Sequence, residues 1–214
     1  MGNKVAILGS GTVGEVLANG CLEHGYAVMR GSRDPKKLDA WKTGAGGNAS
    51  TGTFVEAAKW ADLVIIAVKG NAAEGLVTEL AATLAGKPVI DATNPIADAP
   101  PQNGVIQYFT KQNESLMERL QKAAPQAKLV KAFNSVGNAL MVNPKLPIKP
   151  KMFICGNDAG AKQQVTELLG KFGWDALDYG GVESARPIES LCMLWCVPGM
   201  LRNDWMHVID YVKP

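Results

Sequence analysis

The chain opens with the stretch KVAILGSGTVG, residues 4–14, which decides its fold class. An apolar run that ends in a glycine-rich turn and continues into an amphipathic helix is typical of a dinucleotide-binding strand–turn–helix unit. The first glycine permits the tight turn, the second lets the backbone approach a diphosphate, and the third lets the helix pack on the strand. The alternative is a plain strand–helix turn without a ligand. The residues predicted to bind the cofactor here are Gly9, Ser10, Gly11, Thr12, Val13 and Gly14.

Short apolar runs alternate with helical patterns along the rest of the chain. The runs that are rich in valine and isoleucine show no polar–apolar alternation, as expected for parallel strands buried on both faces. The order of elements predicts an α/β fold, a doubly wound Rossmann-type parallel sheet with a C-terminal helical cap. The predicted strands are 4–8, 26–30, 63–68, 88–91, 128–133, 151–155 and 174–179, and the predicted helices are 12–24, 54–60, 72–84, 114–124, 159–172 and 183–195.

The length of 214 residues suits a single domain. Within 1–214 we predict a dinucleotide-binding half, 1–134, and a second half, 135–214, that extends the sheet and adds the C-terminal helices. Two stretches break the strand–helix alternation and are predicted as long loops, a class that is often functional. They are 94–113, rich in Pro, Asn and Gln, and 143–150, which contains three prolines. The last thirty residues are predicted to finish in one or two apolar helices.

Composition and charge exclude several classes of function. The formal net charge is +2 and no Lys/Arg run exceeds two residues, so a nucleic-acid partner is not expected. No apolar run approaches the roughly 18 residues that span a bilayer, so no membrane association is expected. The four cysteines are scattered without a CxxC pair, which fits a reducing compartment. With no secretory signal recognisable, we predict a cytoplasmic protein.

The end of the second predicted strand indicates which dinucleotide is bound. NAD enzymes usually place an acidic residue here, to bond the ribose hydroxyls. This chain has a glycine and Ser32 there, followed by Arg33, with Lys36 and Lys37 one turn later. A hydroxyl and a guanidinium suit a 2′-phosphate, since they provide one donor and one charged fork. We therefore predict NADP(H); the alternatives are that Asp34 reaches the ribose or that Arg33 is a solvated loop residue.

Other strand ends are predicted to flank the nicotinamide, because open α/β sheets bind ligands at the carboxyl ends of their strands. Asn94-Pro95 has an ordinary turn as its alternative. Asp91 is expected to be buried and hydrogen-bonded rather than catalytic, and Phe133 could equally belong to the core. The candidates at these strand ends are Val68, Lys69, Asn94, Pro95, Asn134 and Gly137.

No catalytic residue and no metal site are predicted. The two histidines lie away from the strand ends, and no Ser-His-Asp or Cys-His arrangement is recognisable. Cys192 and Cys196 are four residues apart without a histidine partner, which makes a poor metal site, so we expect them to pack in the protein. Glu183, Arg186 and Glu189 are expected to form a surface or interface network.

Several of these segments together resemble one family. They are 6–33, 94–95, 132–134, 155–158 and 180–191. Over nearly its whole length the chain resembles the NADPH:coenzyme F-420 oxidoreductases, where coenzyme F-420 is an 8-hydroxy-5-deazaflavin, and the related cytosolic domain of the STEAP metalloreductases. The resemblance implies direct hydride transfer between the nicotinamide C4 and the deazaflavin C5, a reaction that needs two stacked rings and no protein acid or base.

The resemblance also implies residue roles and partners. Ser32 and Arg33 would hold the 2′-phosphate with Lys36 or Lys37, and residues 10–13 would hold the diphosphate. The residues implied near the nicotinamide are Val68, Asn94 and Asn134, with Gly137 behind them. The partners implied are a small-molecule redox acceptor and a second copy of the chain, joined in a homodimer through the C-terminal helices. The chain departs from the family in its long, polar 98–113 segment, so the acceptor stays open between coenzyme F-420 and a flavin.

Two other functions remain open from the sequence. One is a different small-substrate NADPH reductase, such as a pyrroline-carboxylate reductase or a hydroxyacid dehydrogenase. Those enzymes carry a long helical second domain, and roughly 80 residues after Asn134 are too few for one. The other is an NADP(H)-binding regulatory module without turnover of its own, which the fold alone cannot distinguish.

Overall fold

A computed structural model of the chain describes residues 3–213. Each predicted apolar run overlaps a strand, and each predicted helical stretch overlaps a helix. No helix in this range is both long and apolar enough to cross a bilayer. The strands are β1 (Lys4–Leu8), β2 (Ala27–Gly31), β3 (Ala49–Gly52), β4 (Leu63–Ile66), β5 (Pro88–Asp91), β6 (Lys128–Lys131), β7 (Lys151–Ile154) and β8 (Asp175–Asp178). The helices are α1 (Thr12–Glu23), α2 (Asp39–Gly44), α3 (Phe54–Trp60), α4 (Gly70–Leu84), α5 (Leu116–Ala123), α6 (Ala159–Lys171) and α7 (Ala185–Arg202).

Six strands form one parallel sheet in the order β3-β2-β1-β4-β5-β6. The residues of β4 are fully buried, because α1 and α6 cover one face of the sheet and α3, α4 and α5 cover the other. The strand order reverses between β1 and β4, which opens a crevice at their carboxyl ends. The predicted doubly wound α/β fold is therefore confirmed.

Strands β7 and β8 pair in parallel with each other and form a second, two-stranded sheet. This small sheet meets β6 at an antiparallel bridge, where the Lys131 N–H donates to the Cys155 carbonyl over 2.9 Å. A Cβ atom on Gly156 would lie 2.4 Å from the Leu129 carbonyl oxygen, so only glycine permits this close approach. Within residues 3–213, this bridge is the backbone pairing that joins the small sheet to the main sheet.

Helix α2 and strand β3 are missing from the predicted elements, and the predicted end of the last helix is wrong. Strand β3 was not predicted, because its sequence Ala-Ser-Thr-Gly contains no large apolar side chain and the strand lies at the sheet edge. The closing helix was predicted to end at Trp195 and to be followed by more helix. Instead α7 continues through Pro198 to Arg202, and Asn203 ends it with a left-handed φ of 55°. Residues 203–213 form no helix.

Part of the predicted 94–113 loop is a hairpin. Antiparallel bridges join Ile96 to Tyr108 and Gln102 to Val105. The intervening Asn-Gly pair, 103–104, has φ values of 49° and 80°, as a tight hairpin turn requires. A buried isoleucine of the second arm packs against two cysteines and a tryptophan of α7. The prediction of a structureless loop is therefore corrected, since Asn-Gly between two arms is itself a hairpin signal.

Candidate functional site

A cleft of about 1060 Å³ lies at the carboxyl ends of β1 and β4. This is the point where the strand order reverses, the usual place for a ligand in an open α/β sheet. The cleft brings together the glycine-rich turn, the end of β2 and the segment that joins β4 to α4. Its lining residues are Gly9, Ser10, Gly11, Thr12, Val13, Ser32, Arg33, Asp34, Lys37, Phe54, Ala67, Val68, Lys69, Asn71, Ala72, Leu76, Glu79 and Ala92.

The three glycines of the turn have three different environments. Gly9 has a φ of 153°, and a Cβ atom there would lie 2.3 Å from the Ala67 carbonyl oxygen. A Cβ atom on Gly14 would lie 2.7 Å from the Gly9 carbonyl oxygen, so this glycine lets α1 approach β1. A Cβ atom on Gly11 would meet nothing within 4 Å, because Gly11 faces the open cleft. Only Gly11 therefore leaves space that a ligand could fill.

Helix α1 begins at the floor of this cleft. Gly11 is its N-cap, and no side chain of residues 3–213 caps the first turn. The N–H groups of a first helical turn have no partner within the helix, and the helix dipole adds a partial positive charge there. Such a helix end is suited to bind the diphosphate of a dinucleotide. The first turn of α1 therefore fits the diphosphate of NADP(H).

The end of β2 supplies the polar groups at one side of the cleft. Ser32 is buried, and its hydroxyl oxygen accepts the Asp34 N–H over 3.2 Å, which leaves its proton free to donate. Arg33 is exposed and has no ion pair among residues 3–213. Asp34 accepts the Lys36 N–H over 3.2 Å, so its carboxylate caps the short helical turn that follows. Lys37 lines the cleft, whereas Lys36 does not.

The predicted site residues that follow β4, β5 and β6 divide into two groups. Val68 and Lys69 line the cleft, but Asn94 and Asn134 do not. The Asn134 amide donates to the Asn94 side-chain oxygen over 3.2 Å, and the Asn94 amide donates to the Asn134 carbonyl over 2.8 Å. These two side chains therefore link the ends of β5 and β6. Pro95 is buried outside the cleft lining.

Gly137 lies against α7 rather than in the cleft. A Cβ atom on Gly137 would lie 2.8 Å from the Trp195 ring. The cleft includes side chains that the sequence did not indicate, among them Phe54, Leu76 and Glu79. They come from α3 and α4, and no local motif marks them, since only the packing of these helices turns them toward the cleft.

A buried ion triad lies next to the cleft at the ends of β5 and β6. The Lys131 ammonium lies 2.6 Å from the Asp91 carboxylate and 2.8 Å from the Glu189 carboxylate. Burial alone would lower the pKa of Lys131, but the two carboxylates outweigh it and raise the pKa above its ordinary value. Glu189 also accepts the N–H groups of Leu116 and Met117 over 2.9 and 3.0 Å. It thereby fills the N-terminus of α5.

The expectation of a surface network around Glu189 is wrong, because that carboxylate is buried. Arg186 instead forms an ion pair with Glu118 over 2.6 Å and so joins α7 to α5.

Burial raises the pKa of the Cys21 and Cys155 thiols to about 12, which makes both unreactive. Within the described residues no group of three His, Cys, Asp or Glu side chains is arranged to hold a metal ion.

Comparisons with known proteins identify a matching family and several relatives of this chain. The model of the family described as NADP oxidoreductase coenzyme F420-dependent matches residues 4–95. Metalloreductase STEAP3 of Rattus norvegicus is 32% identical over 203 residues, which cover 92% of this chain and 39% of that protein. The F420-dependent NADP reductase of Methanocaldococcus jannaschii is 30% identical over 140 residues, which cover 65% of this chain and 62% of that protein. The chain thus spans less than two thirds of the length of either relative.

A solved structure covers the whole fold. A protein of Arthrobacter sp. FB24, provisionally described as an F420-dependent NADP reductase, superposes with a TM-score of 0.91 at 30% identity. The match covers 99% of this chain and 100% of that one. A pyrroline-5-carboxylate reductase of Coxiella burnetii, at 17% identity and a TM-score of 0.59, shares the fold alone. The chain belongs to the family of F420-dependent NADP oxidoreductases.

Proposed function

We propose that the protein is an oxidoreductase that transfers a hydride between NADP(H) and a planar acceptor, which we take to be coenzyme F-420. The observation that carries the proposal is the cleft itself. It joins an uncapped helix N-terminus to Ser32, Arg33 and Lys37, so two separate anion sites face one space. A dinucleotide with a 2′-phosphate carries two anionic groups, a diphosphate and a phosphate, that match these sites.

Different residues of the cleft would bind different parts of NADP(H). The backbone of residues 9–14 would bind the diphosphate, and the Ser32 hydroxyl with the Arg33 guanidinium would bind the 2′-phosphate. Lys37, and Lys36 from the same turn, would add positive charge. Val68 and Lys69 lie at the end of β4, where the nicotinamide would be held. Asn94, Pro95, Asn134 and Gly137 would act on this end from outside the cleft lining, because they fix the strand ends and α7 around it.

The proposed hydride transfer needs few reactive side chains. NADPH supplies a hydride when it is bound, and transfer to a ring needs close, parallel placement more than proton transfer. The chain contributes an apolar floor from Ala67, Val68 and Ala92 at the strand ends. Such a floor positions a ring and excludes water from it. This is the reason for proposing no catalytic acid or base.

The choice of acceptor is supported by relatives rather than by the cleft. Three F420-dependent NADP reductases match the chain at 27–30% identity. The metalloreductase relatives match at 29–32% over most of the chain, within proteins that are more than twice as long. A flavin, which is also a planar ring, stays the alternative acceptor.

Anaerobic stopped-flow absorbance tests this proposal directly. The purified protein is mixed with NADPH and coenzyme F-420, and the deazaflavin band is followed. Rapid bleaching with NADPH, and much slower bleaching with NADH, is the expected result. Tight NADPH binding without bleaching would reject coenzyme F-420, and the same assay with a flavin would then be decisive. Failure to bind NADPH would reject the proposal as a whole.

We also propose that the protein is a homodimer formed through α7 and the segment after it. Apolar side chains are exposed there, including Leu194 at 60% and Met206 at 64%. Exposed apolar clusters on a small domain commonly mark an interface. Sedimentation velocity of the purified chain should give a dimer, and Leu194→Glu should shift it to the monomer. A monomer at all concentrations would reject this assembly.

A further inference from the structure

Arg30 lies beneath the glycine-rich turn, three residues before the exposed Arg33. It belongs to β2, and its side chain is 1% exposed. The guanidinium donates to the Gly11 carbonyl over 3.2 Å and, at a longer 3.5 Å, to the Gly9 carbonyl. It also lies 3.4 Å from the Glu15 carboxylate. The guanidinium carbon, Cζ, lies 4.9 Å from the centre of the Trp41 ring. One buried cation thus contacts the backbone of the turn at Gly9 and at Gly11.

This placement is unfavourable for the protein alone. A cation beside a helix N-terminus is repelled by the helix dipole, and a buried charge needs partners to offset its lost hydration. The only ion partner of Arg30 among residues 3–213 is Glu15, which is 52% exposed. The Arg30 Nε atom is buried and has no hydrogen-bond partner in the same part of the chain. Burial lowers the pKa of Arg30, and the nearby Glu15 carboxylate opposes that effect.

We propose that Arg30 is a positioning residue for the diphosphate of the cofactor. A peptide group is planar and trans, so its C=O and the N–H of the next residue point in opposite directions. A guanidinium that holds the Gly11 carbonyl from below therefore turns the Thr12 N–H away from itself, and the Gly9 carbonyl does the same for the Ser10 N–H. Ser10 and Thr12 both line the cleft. Arg30 fixes the amides that face the anion and adds positive charge behind them.

The inference rests on the proposed binding of NADP(H), and it separates the roles of the two arginines. Arg33 would act on the 2′-phosphate, which NADPH has and NADH lacks. Arg30 would act on the diphosphate, which both dinucleotides share. Loss of Arg30 therefore weakens both dinucleotides by the same factor, whereas loss of Arg33 changes the ratio between them. Adenosine 2′-monophosphate has a 2′-phosphate and no diphosphate, so its affinity should not depend on Arg30.

The experiment is isothermal titration calorimetry of NADPH, NADH and adenosine 2′-monophosphate with four proteins. They are the wild type, Arg30→Met, Arg30→Lys and Arg202→Met, the last being an exposed arginine at the end of α7. Arg30→Met keeps the packing volume and loses the charge, and it should weaken NADPH and NADH equally, by about tenfold. Arg30→Lys keeps the charge and loses the planar fork, so its loss should be smaller. Arg202→Met should bind all three ligands like the wild type.

The outcomes distinguish this inference from the function on which it rests. Wild-type protein that fails to bind NADPH overturns both. Unchanged NADPH affinity in Arg30→Met overturns the role of Arg30 and leaves the function standing. A parallel loss of adenosine 2′-monophosphate binding also overturns it, because a distorted cleft would lose every ligand. Circular dichroism checks that Arg30→Met is folded, and Arg30→Lys gives the same comparison of ligands if Arg30→Met is not.

Discussion

Two helix N-termini of this protein, those of α1 and α5, are used in opposite ways. The first turn of α1 has no capping side chain in the described part of the chain, and it opens into the cleft. The first turn of α5 is filled from within the protein, because the buried Glu189 carboxylate accepts two of its N–H groups. The same backbone chemistry is therefore left free for a ligand at one helix and used for folding at the other. Charged residues divide likewise into Arg33, which has no ion pair within residues 3–213, and Lys131, which pairs with two carboxylates.

The largest expected effect tests the folding side of this comparison. Lys131→Met removes the cation from between Asp91 and Glu189 and leaves two carboxylates buried without it. Removing one partner of a buried ion cluster costs about 3–5 kcal/mol. We expect the free energy of unfolding to fall by that amount in urea titration.

Lys128→Met on the same strand is the matched control for that variant. Its ammonium is 43% exposed and pairs with Asp158 over 3.3 Å. An exposed pair contributes about 0–1 kcal/mol, so this variant should remain close to the wild type. Equal losses in the two variants would contradict a special role for the triad.

The two regions also differ in how well the sequence predicts them. The cleft could be predicted because strand, turn and helix are contiguous, and residues 9–14 carry their geometry in the chain itself. The triad could not, since Asp91, Lys131 and Glu189 are far apart in sequence and meet only after β5, β6 and α7 pack. Glu189 looks like a surface residue when its helix is considered alone. Arg30 was missed for a related reason, because nothing local shows that its side chain turns inward beneath the turn.

The second largest effect tests the ligand side. Arg33→Ala should weaken NADPH binding by about 1.5–3 kcal/mol, the usual loss for a charged hydrogen-bonding partner. NADH binding and the free energy of unfolding should change little, because Arg33 has no ion pair among the described residues. Calorimetric titration with both dinucleotides gives the ratio. Lys42→Ala, an exposed cation outside the cleft lining, is the control, and an equal loss for NADPH and NADH would reject the phosphate assignment.

A third comparison lies within the glycine-rich turn. Gly14→Ala places a Cβ atom 2.7 Å from the Gly9 carbonyl oxygen, and overpacking of this kind costs about 1–3 kcal/mol of stability. Gly11→Ala places its Cβ atom in open space, so stability should change by less than about 1 kcal/mol while NADPH binding falls. Thermal unfolding and calorimetry on both variants measure the two effects. If Gly11→Ala bound NADPH normally, the ligand would not approach the turn at this residue.

The smallest expected effect concerns the ion pair that joins α5 to α7. The Arg186 guanidinium, helped by the hydroxyl and N–H of Ser115, holds the pKa of Glu118 at about 2. An acid whose pKa is depressed by folding stabilises the protein above its unfolded pKa of about 4.3, and this contribution is lost as the pH falls toward 2. Glu118→Gln keeps the cap on Ser115, because glutamine serves equally there, and removes the charge. It should therefore isolate the pH-dependent part.

At pH 7 we expect Glu118→Gln to be less stable than the wild type by on the order of 1 kcal/mol, since the pair is partly exposed. Urea titrations at pH 7, 5 and 3 should show this difference shrinking only below about pH 4.5, as the wild-type carboxylate begins to lose its advantage. Arg186→Met should remove the same pH-dependent difference, because it removes the cation that depresses the pKa. A difference between wild type and Glu118→Gln that persists unchanged at pH 3 would mean that packing of the side chain, rather than its charge, joins α5 to α7.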